Sequence, residues 1–337
     1  MPFLRTASCA VFASAVMATS VHAQLPVHQL DNGTIRATVT EAIGGRLLSF
    51  ALAGKPNFLL VNEGAGDPRA SVDAATGNVG YLGHEVWVGP QSQWWRHQTV
   101  NPARAADRAP WPPDPYLSLA KYSVGNRSDR HIALDSPASP VNGLSLRKRY
   151  ALVDGRPNSF DLQAEATNRR ADDVSWDLWF NTRVRPQTMV YVPVASKRDV
   201  RIEPAGALGW TLDDGILSLD QPHLGQPARK GKLFAQPAAG WMAGFHSGQA
   251  FIVQFTHQPR AAIHPEQGQV ELYHDVDPAA PGKGLLEMEV HAPYLRLPPG
   301  ASMSASERWT ILPYDGPATR AAHIAFLRRQ ATQLGLK

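Results

Sequence analysis

A chain of 337 residues with 33 basic and 29 acidic side chains carries a formal net charge of only +4. That excess is too thin for a nucleic-acid or membrane-surface binder, and the densest basic run, RKRY at 147–150, reads as the end of a strand. The single cysteine, Cys9, lies near the N-terminus, which excludes disulfide and thiol chemistry from the body of the protein and leaves it to stand on its core.

In chain order, Arg5 precedes an uncharged run from Thr6 to Val21 and the small-residue exit Val21, His22, Ala23. This order predicts a secretory signal peptide over 1–23, cleaved after Ala23, since the run falls short of the ~20 apolar residues of a spanning helix. The mature protein is expected to be soluble, periplasmic or secreted, with no membrane contact. The 28 prolines and 27 glycines are scattered, which predicts one continuous domain over 24–316 and a helix over 317–337 packed on it.

Most of the remaining periodicity is that of strands. In TIRATVT, Ile35, Ala37 and Val39 alternate with Thr34, Arg36 and Thr38, and RLLSFAL follows the turn residues Gly44 and Gly45. GHEVWVGPQSQWW (83–95) sets Trp87, Trp94 and Trp95 beside His84 and Glu85, punctuated by Gly83, Gly89 and Pro90; it reads as a pocket wall, with Trp94 and Trp95 divided between core and rim. NPARAADRAPWPPDP (101–115) reads as loop, and Trp111 and Tyr116 make it a candidate lid or rim. FDLQAEA from Phe160, AFIVQFT from Ala250, VELYHDV from Val270 and SERWTIL from Ser306 return to the two-residue period, and no fixed longer repeat signals a propeller or solenoid. These elements predict an all-β protein, a large antiparallel sandwich. After Pro317, Ile324, Leu327, Ala331 and Leu334 share one face of a closing helix that docks on a sheet.

Two strands have unusual polar faces. In VSWDLWFNTRV (174–184), Val174, Trp176, Leu178, Phe180, Thr182 and Val184 form a core face, which leaves Ser175, Asp177, Trp179, Asn181 and Arg183 opposite. A flat indole beside an amide, an acid and a guanidinium suits a sugar, whose C–H face lies on the ring while its hydroxyls meet the polar groups. In LLEMEVHAP (285–293), Leu286, Met288 and Val290 face the core and Glu287, Glu289 and His291 share the other side. Neighbouring carboxylates raise one another's pKa, a source of general-base chemistry, unless Arg or Lys from a neighbour neutralises a solvated face.

At these residues the chain resembles a known superfamily. TIRATVTEAIGGRLLSFALAGKPNFLL, with Gly44, Gly45, Arg46 and Asn57, resembles the opening of galactose-mutarotase-like (aldose 1-epimerase superfamily) domains. GHEVWVGPQSQWW is similar to the next segment of a bacterial branch known as a domain of unknown function, and LEMEVHAPYLRLPPGASMSASERWTIL resembles its closing strands. The likeness runs from about Leu30 to Leu312. It implies a β-supersandwich of two large antiparallel sheets with a carbohydrate site on the concave face. It further implies Glu289 as general base, Arg46 near the sugar, His84 and Trp87 lining the pocket, and Trp179 and Asn181 on the strand that carries the catalytic histidine of true mutarotases. FNT at 180–182 departs from that pattern, because it contains no histidine. Either His84 or one of His246, His257 and His274 would then have to supply the acid that opens the ring.

The expected ligand is a sugar or oligosaccharide, held by Arg46, Trp87, Trp179, Asn181, Arg183 and Glu287, without a cofactor. The first reading is an exported carbohydrate-binding protein accessory to glycan uptake or breakdown. The second is an aldose 1-epimerase-type enzyme with Glu289 as base and His84 as acid. A third, a polysaccharide lyase or hydrolase, is poorly served by carboxylates on one strand face. No HExxH motif or comparable histidine pair marks a metal site; HPE at 264–266 reads as a turn, and DVDP at 275–278 leaves calcium open.

Overall fold

The protein is represented by a computed structural model that describes residues 25–62, 64, 65 and 71–336. The expected signal peptide at 1–23 lies outside the described residues. Among those residues two antiparallel sheets of ten strands each stack face to face. The first sheet runs, in spatial order, His28–Asp31, Ile35–Thr40, Arg46–Leu52, His84–Gly89, Val174–Val184, Leu285–His291, Val270–Val276, Arg229–Ala235 and Val200–Glu203, with Leu295–Leu297 also paired to Val174–Val184. The second is built around the adjacent strands Gln249–Phe255, Ser302–Pro313, Ser159–Asn168 and Leu144–Leu152.

Alternation explains how the layers meet. From the first sheet Phe50, and from the second Phe160, Phe251 and Trp309, interlock with ring centroids 4.8–5.9 Å apart. Each such side chain is fully buried and contributes about 1.5–3 kcal/mol by leaving water. The outer face of the second sheet is covered in part by the helix Arg320–Leu334, capped by Thr319 and closed by Gly335 in the left-handed region. Its Ile324 and Leu327 pack with Tyr191, Phe245 and Tyr314. Among the described residues no helix is long and apolar enough to cross a membrane.

The structure differs from expectation over 90–118, and the difference positions the site. This segment contains two short helices, Pro102–Ala106 and Pro115–Ser118. Each has proline at its first position, where no N–H is missed, and a cap from Asn101 or Asp114 that accepts a backbone N–H. Trp94 and Trp95 are both fully buried instead of dividing between core and rim, their indole N–H groups donating to Val88 O and Pro112 O; Trp111 is the half-exposed one. The segment lies against the outer face of the first sheet, so the polar face of Val174–Val184, the partly exposed Ser175 apart, is buried as thoroughly as its apolar face.

Candidate functional site

Strand register gathers the outer-face residues into rows. Glu85 stands opposite Asn181, Asn181 opposite Glu289, Glu289 opposite Glu271, Glu271 opposite Phe234, and Phe234 opposite Arg201. One row away, Trp87 faces Trp179 and Trp179 faces His291; on the other side Arg183, Glu287, Tyr273 and Lys232 line up. Residues far apart in the chain thus meet because paired strands present the same parity to the same face.

The same parity removes His84 from the site, a correction to the expected His84–Trp87 pairing. Leu47 pairs with His84, so His84 points between the sheets, stacked on Phe180 and edge-on to Trp309, with Nδ1 2.9 Å from Thr182 Oγ1. Burial, followed by the nearby Lys148, Arg183 and Arg46 charges, holds its pKa well below that of a free imidazole. The other candidate acids are held elsewhere: His274 Nε2 lies 2.8 Å from Pro186 O, His257 Nε2 2.9 Å from Pro237 O, and His246 Nδ1 2.6 Å from Ser247 Oγ.

Of the two charge networks on the outer face, one is sealed. Arg46 donates to Glu85 Oε2 at 2.7 Å, Arg183 donates to Glu85 Oε1 at 2.5 Å, and Arg183 Nε reaches Glu287 Oε1 at 2.8 Å. Arg46 also holds Leu82 O and Ser118 O. The Gly44–Gly45 turn makes this possible: Gly44 has φ +62°, and a Cβ there would lie 2.2 Å from that same Ser118 O. Burial would raise the Glu85 pKa, but Arg46 and Arg183 outweigh it and hold the carboxyl below its usual range. Trp87 closes the network from above, its ring 4.5 Å from the Arg183 guanidinium and packed edge-on to Trp94, Trp111 and Trp179. Arg46, Trp87, Asn181 and Arg183, all expected at the ligand, are therefore walled off, and Glu287 is bound to the same network.

The second network reaches a cleft of about 410 Å³, whose lining includes Trp179, Lys232, Phe234, Glu271, Gln267 and Arg201 beneath Pro90–Ser92 and Pro110. Lys232 Nζ lies 2.6 Å from Glu271 Oε2 and 2.7 Å from Glu289 Oε2, and 4.5 Å from the centre of the Trp179 ring. His291 lies between Asp177 (Nδ1 to Oδ1, 3.2 Å) and Glu271 (Nε2 to Oε1, 3.4 Å), with the Gln267 amide 2.9 Å from Nδ1. Gly89 admits this crowding, since a Cβ there would come within 2.2 Å of Gln267 Nε2 and 2.8 Å of Asp177 Oδ1.

Burial drives the titration of this group, and the neighbours decide its sign. Burial alone would lower the His291 pKa, but Glu271 and Asp177 outweigh it and raise it to about 9. Burial would raise that of Glu271, but Lys232 and His291 pull it down to about 2. For Glu289 burial wins over Lys232, reinforced by Glu287 and Glu271, and the carboxyl stays protonated well above the usual range. Glu271, Glu289 and His291 also bring ligand atoms within 4.8 Å of one another, a spacing that could hold a cation, but the Lys232 ammonium already bridges the two carboxyls. In the DVDP segment, Asp275 pairs with Lys230 at 2.9 Å and Asp277 accepts from Ala279 N, as in an ordinary turn.

Trp179 is thus the expected ligand residue that lines the cleft, while Glu289 lies directly beneath it. Lys232, Phe234, Glu271, Gln267 and Arg201 had not been singled out. RKGKLFA (229–235) does carry a signal, with Lys230, Lys232 and Phe234 alternating against Gly231, Leu233 and Ala235.

A family model described as Domain of unknown function (DUF4380) matches residues 26–312. A comparison with curated proteins gave no match. Among solved structures, a proposed aldose 1-epimerase from Klebsiella pneumoniae subsp. pneumoniae MGH 78578 is similar over 90% of this chain and 81% of that one, with 13% identity and a TM-score of 0.56. A galactose mutarotase-like protein from Clostridium acetobutylicum is similar over 86% and 99%, with 9% identity and a TM-score of 0.51. A galactose mutarotase related enzyme from Lactobacillus acidophilus is similar over 87% and 100%, with 11% identity and a TM-score of 0.50. At such identities the likeness is one of fold: a galactose-mutarotase-like β-sandwich.

Proposed function

Since the chain belongs to the family described as Domain of unknown function (DUF4380) and has a galactose-mutarotase-like fold, we propose that it is an exported carbohydrate-binding protein whose ligand occupies the cleft over Trp179 and Phe234. The observation that carries this reading is the composition of the cleft. Two aromatic side chains lie among an ammonium, a carboxylate, an amide and a guanidinium, and the buried Trp179 Nε1 donor has no hydrogen-bond partner among the described residues. A sugar offers what such a site lacks: an apolar C–H face for the partly exposed Phe234 ring and hydroxyls that both accept and donate. Export rests on the basic, apolar and small-residue order of 1–23.

Binding is favoured over epimerisation on chemical grounds. Mutarotation needs a base for the anomeric hydroxyl and an acid for the ring oxygen on the same side of the sheet, with pKa values near the working pH. Glu289 and His84 lie on opposite faces of the first sheet. Glu271, at about 2, is a weak base, and the Glu289 carboxyl is buried with Lys232 Nζ 2.7 Å from it. Titration calorimetry against a panel of neutral hexoses and uronic acids, with their oligosaccharides, tests the reading. Saturable binding that Phe234→Ala weakens by about tenfold, or ~1.4 kcal/mol, is expected, with no acceleration of mutarotation by polarimetry. A folded protein that binds nothing in the panel, or that mutarotates a hexose at enzymatic rates, defeats it.

A further inference from the structure

We propose that the ligand is an oligosaccharide that crosses the 3₁₀ turn Gln91–Gln93, with one ring in the cleft over Trp179 and another in a second hollow on the far side of that turn. The inference rests on the carbohydrate reading above and adds the class of ligand, a chain longer than one sugar.

The turn is a divide shared by two concavities. Gln91 and Ser92 line the cleft, while Gln93 lines a hollow of about 290 Å³ with His97, Arg170, Ser175, Trp176 and Tyr294. The facing wall is continuous as well. Glu266 and Gln267 border the cleft; His264, which accepts the Gln267 N–H through its carbonyl, packs edge-on against Tyr294 at 4.7 Å; and Tyr294 N donates to Ala262 O. Beneath both runs one strand. Ser175 and Trp179 lie on the same face of Val174–Val184, four residues apart, a span of about 13 Å at ~3.3 Å per residue and more than a single pyranose covers.

The chemistry of the second hollow is also that of a sugar subsite. It offers an aromatic ring in Tyr294, a hydroxyl in Ser175 and a guanidinium in Arg170, held in place by its bonds to His97 O at 2.7 Å and Val141 O at 2.5 Å. On the divide itself, the buried Ser92 Oγ has no hydrogen-bond partner among the described residues. A hydroxyl group placed between two subsites can bond to the linkage or to a hydroxyl of the ring that crosses it.

The test is chain-length dependence. Calorimetry is run with glucose, galactose and galacturonic acid, and with the di-, tri- and tetrasaccharides of each. In at least one series affinity is expected to rise about tenfold or more from monosaccharide to trisaccharide, ~1.4 kcal/mol per tenfold. Tyr294→Ala should abolish that gain and leave the monosaccharide affinity within about twofold; Ser175→Phe, which fills the hollow from a different strand position, should do the same if Tyr294→Ala folds poorly. Phe234→Ala should weaken every chain length. Monosaccharide binding with no gain on lengthening, or a gain that survives both hollow variants, overturns the inference and leaves the carbohydrate reading intact. Absence of binding to any sugar overturns both.

Discussion

The two charge networks on the outer face of the first sheet use the same chemistry to different ends. Both alternate acids and bases across neighbouring strands, and both are desolvated. The Arg46–Glu85–Arg183 part of the first network is closed by Trp87 and by backbone carbonyls, with side-chain exposures of 1%, 4% and 3%, and Glu287, at 15%, is its partly exposed end. The Asp177–His291–Glu271–Lys232–Glu289 network is as deep at one end but reaches the cleft through Lys232, which is 19% exposed. The difference lies in the cover and not in the residue types. A buried ion pair that nothing can approach fixes local geometry; one with an open end can also meet a ligand.

The sharpest way to break the comparison is to remove the central acid of the closed network. Glu85→Gln leaves Arg46 and Arg183 buried beside a neutral amide, and the expected loss is about 3–5 kcal/mol of stability in urea unfolding. A loss under ~1 kcal/mol would mean that water reaches those guanidinium groups.

Next in size is a pH effect at His291. A pKa of about 9 in the fold, against 6.5 for the free side chain, means that its protonated form is favoured by folding. Its contribution is therefore complete below ~6.5 and is lost as pH rises through ~9, about 3 kcal/mol in all at ~1.4 kcal/mol per unit. Lys148 and Glu307 titrate near the same window, at about 7 and about 8 as burial shifts each of them, so the readout is the difference between the parent and His291→Gln. That difference should shrink between pH 6.5 and 9. A constant difference would place a neutral imidazole between Asp177 and Glu271.

Lys232→Met sharpens the contrast from the open side. Because burial raises the Glu289 pKa and so eases its neutralisation, and Glu271 keeps His291, the expected cost is about 1–3 kcal/mol, less than for Glu85→Gln, while sugar affinity in calorimetry falls about tenfold. If stability falls as far as for Glu85→Gln and affinity is unchanged, the two networks are alike and the contrast fails.

Much of the fold was legible because alternation is local. VSWDLWFNTRV and LLEMEVH sort into an apolar and a polar face from their own letters, and the structure keeps both sortings. The same rule applied to HEVWVG puts Glu85 with Trp87 and leaves His84 with Val86; pairing His84 with Trp87 followed the family likeness against parity, and parity prevailed. Two things were not local. Register between strands decides that Lys232 and Glu271 stand beside Glu289, and no single strand carries that information. Cover is the other: residues 90–118 fold over the polar face, so a surface whose composition suits a ligand is half given to buried ion pairs.

The smallest effect concerns that cover. Trp111 is 48% exposed and touches Trp87 and Trp94 at 6.1 and 6.2 Å between ring centres, so its removal gives up little burial. Trp111→Ala should cost no more than about 1.5 kcal/mol, the worth of one or two partly wet aromatic contacts. Its effect on access should be larger than its effect on stability: with the outermost ring gone, acrylamide should quench the emission of the remaining tryptophans more strongly, while Glu85→Gln in the same background still costs its full amount. If quenching is unchanged, Trp94 and the backbone of 90–118 suffice as the lid. The closed network then owes its dryness to the segment as a whole and not to the tryptophan at its tip.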